Sequence, residues 1–123
     1  MQAGDLLRGR FEIGEAVREG GMGVVFRALD RETGKTVAVK TLLEASPAHA
    51  ERFAREVALL GALRNPAVVS HVSHGFAAGG EPYLVMDWLD GEDLADRLAR
   101  GPLSEAEVRS LALRLADALG AAH

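Results

Sequence analysis

Apolar and polar residues alternate with a period of two over several short runs of this chain, and with a helical period over longer ones. Phe11-Glu12-Ile13-Gly14-Glu15-Ala16-Val17 alternates as a first strand, and Val24 to Leu29 reads as a second. The polar stretch Asp30-Arg31-Glu32-Thr33-Gly34-Lys35 predicts a hairpin loop, because Gly34 can take a positive φ. Thr36 to Leu42 is the third strand. Ser46-Pro47 then opens a helix running to about Leu63, the serine suiting a cap and the proline a first turn, and Asn65-Pro66 stops it. Val68 to Phe76 and Tyr83 to Asp87 predict two more strands, separated by a turn over residues 77–82. Asp93 to Arg100 predicts a short helix closed by Gly101-Pro102. Ser104-Glu105-Ala106-Glu107 has the spacing of a capping box and starts a last helix that runs to the end. Along that helix Val108, Leu111, Ala112, Leu115, Leu119 and Ala122 form an apolar stripe. The order is that of an α+β chain: five strands with one helix inserted after the third, then two helices.

Composition narrows the field. A chain of 123 residues makes one domain or a fragment of a larger one. With 48% hydrophobic and 26% charged residues it is an ordinary globular sequence. Fourteen basic against eighteen acidic residues leave a net charge of −4 with no basic block, so neither nucleic acid nor an anionic membrane is an expected partner. The absence of cysteine excludes disulfides, thiolate catalysis and cysteine metal sites. Met1-Gln2-Ala3-Gly4-Asp5 is not a signal peptide and no apolar run approaches membrane-spanning length, so the chain reads as cytoplasmic.

Candidate chemistry starts at Glu19-Gly20-Gly21-Met22-Gly23-Val24-Val25-Phe26, a glycine loop between two strands, followed by Val37-Ala38-Val39-Lys40 on the next strand. Glycines let backbone amides approach phosphate oxygens where a Cβ would collide, and a lysine supplies the counter-charge. Phosphate loops of the P-loop and dinucleotide types place their glycines between a strand and a helix. Here there is no room for a helix before the turn at Asp30, so the loop is the tip of a hairpin. Alternation puts Ala38 and Lys40 on one strand face and Val37 and Val39 on the other. A lysine at a strand end commonly sits in solvent; behind this glycine hairpin it suits a phosphate-binding cation beside a flat base.

Glu56 falls on a helical wheel inside the arc of Leu59, Leu63, Leu60, Phe53 and Val57. A carboxylate amid apolar residues needs a partner. Arg52, one turn earlier, is the local candidate, and Lys40 from the adjacent sheet is the favoured one. His71 and His74, three apart on a predicted strand, should point to opposite faces and so not converge on one metal; all four histidines read as structural and no metal site is expected. Tyr83-Leu84-Val85-Met86-Asp87-Trp88-Leu89-Asp90-Gly91 reads as a buried strand running into a loop, or as a connector offering backbone groups to a nucleobase edge.

Together these segments resemble the N-terminal half of bacterial serine/threonine protein kinases of the eukaryotic-like type, from about Phe11 to His123. The resemblance implies a kinase-like N-terminal lobe with a five-stranded antiparallel sheet and hinge over residues 1–91, then the first two helices of a second lobe over 92–123. It implies an enzyme that transfers the ATP γ-phosphoryl group to protein serine or threonine. Gly20, Gly23 and Val25 are similar to the second and third glycines and the valine of the Gly-rich loop, with Gly21 between them and Val17 before them. Lys40 and Ala38 match the strand lysine and the alanine two residues before it, and Glu56 the helix glutamate that pairs with the lysine. Asn65-Pro66-Ala67-Val68-Val69 resembles the turn after that helix. Met86 corresponds to the gatekeeper, Asp87 and Leu89 to residues lending backbone groups to adenine, and Asp93 to one reaching the ribose. Arg18 stands where the family has its first glycine. The family's catalytic-loop His-Arg-Asp with its asparagine, and its Asp-Phe-Gly, lie downstream of the residues matched, so Mg2+ ligands and the catalytic aspartate are expected beyond His123. The chain alone is expected to be silent in catalysis, and its last helix to favour self-association. The alternative reading is a non-catalytic kinase-like module that grips nucleotide or a partner protein.

Overall fold

The computed structural model describes residues 1–20, 23–42, 47–62 and 69–122, with the backbone alone at 42, 47, 49, 50, 60, 61, 121 and 122. The elements are β1 (Leu6–Leu7), β2 (Phe11–Glu19), β3 (Gly23–Asp30), β4 (Thr36–Leu42), α1 (Pro47–Ala62), β5 (His71–Phe76), β6 (Pro82–Asp87), α2 (Leu94–Ala99) and α3 (Glu105–Ala122). The strands form one sheet in the order β1-β2-β3-β4-β6-β5, and each neighbouring pair is antiparallel. The expected α+β order is borne out, with one strand more than the sequence pattern shows. β1 is two residues long, too short for any alternation to register. Ser46, Leu63 and the Asn65-Pro66 to Val68 segment lie outside the described residues.

Local chemistry explains the turns and caps. In the β3–β4 hairpin the Asp30 N–H donates to Lys35 C=O and the Gly34 N–H to Asp30 C=O, at 2.9 and 2.8 Å. Gly34 has a φ of 73°, a conformation that disfavours a Cβ. Ser104 and Glu107 form the predicted capping box reciprocally, the Ser104 N–H on Glu107 Oε1 at 3.0 Å and the Glu107 N–H on Ser104 Oγ at 3.1 Å.

Register divides the sheet into two faces, since directly opposed residues in antiparallel strands point the same way. The row Phe26, Val39, Val85 and the row Val24, Thr41, Tyr83 share one face. With Leu7, Phe11, Ile13, Ala28 and Val37, all of these but Thr41 make the main apolar core, flanked by Met1, Val72 and Ala77. The row Val25, Lys40, Leu84 and the row Arg27, Ala38, Met86 share the opposite face. There α1 packs, burying Phe53 against Leu84 with Val57 and Met86 beside them. The apolar arc expected on α1 is narrower than the wheel suggested, for Leu59 is 46% exposed.

Two strand irregularities change which way side chains point. In β2 the register shifts between Ile13 and Ala16 and again between Ala16 and Arg18, so Ala16 opposes Phe26 but Arg18 opposes Val25. In β5, His71 opposes Met86 while Ser73 opposes the adjacent Val85, leaving Val72 as an extra residue. That bulge reverses parity and corrects the expectation for the histidines. His71 and His74 lie on the same face, with ring centroids 5.1 Å apart and Nε2 of one 3.0 Å from Nδ1 of the other.

Candidate functional site

Lys40 leaves β4 on the α1 side of the sheet, and its Nζ donates to Glu56 Oε1 at 2.9 Å and Oε2 at 3.2 Å. The pair is held by elements rather than by neighbours in sequence: a strand supplies the cation and a helix the anion. Their side chains are 32% and 42% exposed, so Glu56 is not sealed inside an apolar arc as its helical position suggested. Water therefore screens this pair, and each partner remains accessible to a ligand.

Around the lysine the register assembles a small-residue patch. Val25 is opposite Lys40, and Ala38, buried two residues before Lys40, is opposite Met86. Val25, Ala38, Lys40 and Met86 thus share one face, with a methyl group where a larger side chain would fill the space in front of the strand. Val17 falls between the paired residues Ala16 and Arg18 at the second β2 bulge and is exposed. The Gly20 N–H donates to Gly23 C=O at 2.9 Å, closing the hairpin tip, and a Cβ at Gly20 would meet nothing within 4 Å. Gly21 lies outside the described residues.

Beyond β6 the chain turns outward. The Asp87 N–H is taken by Ser70 C=O at 3.0 Å, so of its backbone groups only the carbonyl is left to consider for a nucleobase. Leu89 is exposed. Trp88 donates from Nε1 to Asp90, and the Arg27 guanidinium lies 5.0 Å over its ring. Asp93 caps α2, its Oδ1 accepting the Asp96 N–H at 2.7 Å. Its Oδ2 accepts from Arg18 Nη2. The Asp96 N–H and then Arg18 hold the Asp93 carboxyl below the ordinary range, and Asp93 in turn raises Arg18. Among the described residues no three His, Asp or Glu side chains converge as a metal site.

Sequence reasoning named Lys40 and Glu56, which the fold brings into contact. It missed the Arg18–Asp93 pair, whose members are 75 residues apart with no periodic signal between them. It also missed the grip of Arg10 on the buried Asp30; an aspartate opening a tight turn was the one visible sign of it.

A model of the protein kinase domain matches residues 11–123. The chain belongs to the protein kinase family. It is 40% identical over 121 residues to the serine/threonine-protein kinase pkn2 of Myxococcus xanthus, covering 96% of this chain and 14% of that protein. It is 37% identical over 122 residues to the serine/threonine-protein kinase PknK of Mycobacterium tuberculosis, covering 97% of this chain and 11% of that one. This kinase-family chain therefore spans a small part of the length of these relatives. Among solved structures it superposes on the M. tuberculosis PknI kinase domain with a TM-score of 0.84 at 24% identity, over the whole of this chain and 51% of that one. It superposes on PpkA-294 in its apo form with a TM-score of 0.79 at 25% identity, over 89% of this chain and 47% of that one. The alignment with PknI is one of fold.

Proposed function

We propose that this chain is the ATP-binding portion of a serine/threonine protein kinase, with residues 1–91 as the N-terminal lobe and hinge and 92–123 as the start of the second lobe. The observation that carries this reading is the Lys40–Glu56 pair on the face that also bears Val25, Ala38 and Met86. The names of the bacterial relatives support it.

The resemblance to the kinase family, together with the Lys40–Glu56 contact, supports the following division of labour. Gly20, Gly21 and Gly23, having no Cβ, let the loop cover the phosphates closely. Lys40 offers its ammonium to the α- and β-phosphates, and Glu56 holds that ammonium on one side so that its remaining N–H donors face the ligand. Val17, Val25, Ala38 and Met86 bracket the base, the Asp87 and Leu89 backbone meets its edge, and Asp93 lies toward the ribose. In the complete protein the γ-phosphoryl group goes to a serine or threonine of a protein substrate, with Mg2+ neutralising the phosphates; these 123 residues bind and orient. Calorimetric titration with ATP tests the reading. Lys40→Met should weaken ATP binding at least about tenfold, a loss within the range for one charge-assisted contact to phosphate. Equal affinity in both proteins would overturn it. Phosphorylation of a generic substrate by the purified chain, above that by Lys40→Met, would overturn the expectation of catalytic silence.

A further inference from the structure

We infer that Arg18 and Asp93 form a latch across the mouth of the cleft, which a ribose must open, so that Arg18 sets how tightly the site holds a nucleotide and which sugar it takes. The inference rests on the ATP reading above and adds to it a residue that no glycine-loop role provides for.

Arg18 is the penultimate residue of β2 and stands in one sheet row with Val25 and Lys40, so its side chain leaves the sheet on the cleft side. There it meets Asp93 at the head of α2, joining two elements on opposite sides of the hinge. Both carboxylate oxygens are then engaged, Oδ1 by the α2 cap and Oδ2 by the guanidinium. A ribose hydroxyl arriving at Asp93 is a neutral donor competing with a charged one: both would make charge-assisted hydrogen bonds to the carboxylate, but only the arginine adds attraction between opposite charges. The exchange is uphill unless the rest of the nucleotide drives it. The two side chains are 64% and 34% exposed, which keeps the latch weak enough to open and reachable by a ligand. A glycine at position 18 would leave Oδ2 open to the sugar; the arginine makes sugar binding an exchange.

The test is calorimetric titration of the chain with ATP and with 2′,3′-dideoxyATP, which has no hydroxyl to offer Asp93. Arg18→Gln should bind ATP about two- to fivefold tighter, the range for an exposed ion pair, and bind dideoxyATP as the parent does. In an Asp93→Asn background, whose amide oxygen can still cap α2, adding Arg18→Gln should change nothing. Weaker ATP binding by Arg18→Gln would make Arg18 a phosphate ligand and overturn the inference, as would equal tightening for both nucleotides or no change. If neither parent nor variant binds ATP, the ATP reading falls and this inference with it. The latch itself is readable without nucleotide: the titration midpoint of the Asp93 carboxyl, followed by NMR, should move up in Arg18→Gln. An unmoved midpoint overturns the pairing.

Discussion

Arg10 holds both carboxylate oxygens of Asp30, Nε on Oδ1 and Nη2 on Oδ2, each at 2.9 Å. The pair ties the turn before β2 to the end of β3, where Phe11 opposes Asp30 in the ladder. Asp30 is fully buried, and the Glu32 N–H also donates to its Oδ1. Arg10 above all, with Glu32 and Thr33, overcomes that burial and holds the carboxyl at about 2 against an ordinary 3.8. As pH falls the unfolded chain therefore takes up its proton first. The contribution of Asp30 is complete well above 3.8 and disappears as pH drops through about 2. Asp30→Asn should lose about 1.5–3 kcal/mol at neutral pH and flatten the acid side of the stability curve, measured by denaturant unfolding from pH 7 to 2. An unchanged acid limb would show that other carboxylates govern it.

For Lys40 and Glu56 the exposure of both side chains limits the coupling. A double-mutant cycle on Lys40→Ala and Glu56→Ala should give about 0.5–1 kcal/mol in thermal unfolding. A value near zero would mean the pair does not persist in solution; one well above that range would mean water is excluded from it.

Two glycines should separate stability from ligand handling. A Cβ at Gly14 would stand 2.8 Å from the Arg27 carbonyl oxygen, a backbone atom that cannot swing aside. Gly14→Ala should therefore destabilise the chain by about 1–3 kcal/mol, the range for overpacking. At Gly20 the space is open, so Gly20→Ala should leave stability within about 0.5 kcal/mol while weakening ATP binding. Equal melting temperatures for the two variants would contradict this.

The stripe expected on α3 is largely uncovered, with Val108 50%, Leu115 51% and Leu119 60% exposed. Leu111 is half-buried toward α2, and the Arg97–Glu107 ion pair spans the two helices. An apolar surface of this kind favours self-association. Sedimentation at about tens of micromolar, a working range, should show oligomers that disappear when the chain is cut after Gly101. A clean monomer with α3 protected from hydrogen exchange would contradict that expectation.

What was legible in the sequence was local or periodic. The hairpin at Gly34, the capping box at Ser104 and the alternation around Lys40 each depend on residues within a few positions of one another, and each appears in the structure. Lys40 and Glu56 could be paired because a strand period and a helix period both pointed at the same gap. The β5 bulge was invisible because Val72 looks like any strand residue, yet one extra residue sufficed to bring His71 and His74 together. Arg10–Asp30 and Arg18–Asp93 were illegible for a different reason: charged residues near turns are common, and only the three-dimensional path decides which two meet.

The two-faced sheet has a consequence for how such a chain can vary. Its main apolar core lies on one face, while Val25, Ala38, Lys40 and Met86 stand on the other with α1. Selection can thus act on the two faces as nearly independent traits. An arginine can replace a loop glycine, and a ligand preference can drift, without disturbing the packing that keeps the lobe folded. The strands are shared, but each residue answers to one side only, and this gives the scaffold room to change what it holds before it changes what it is.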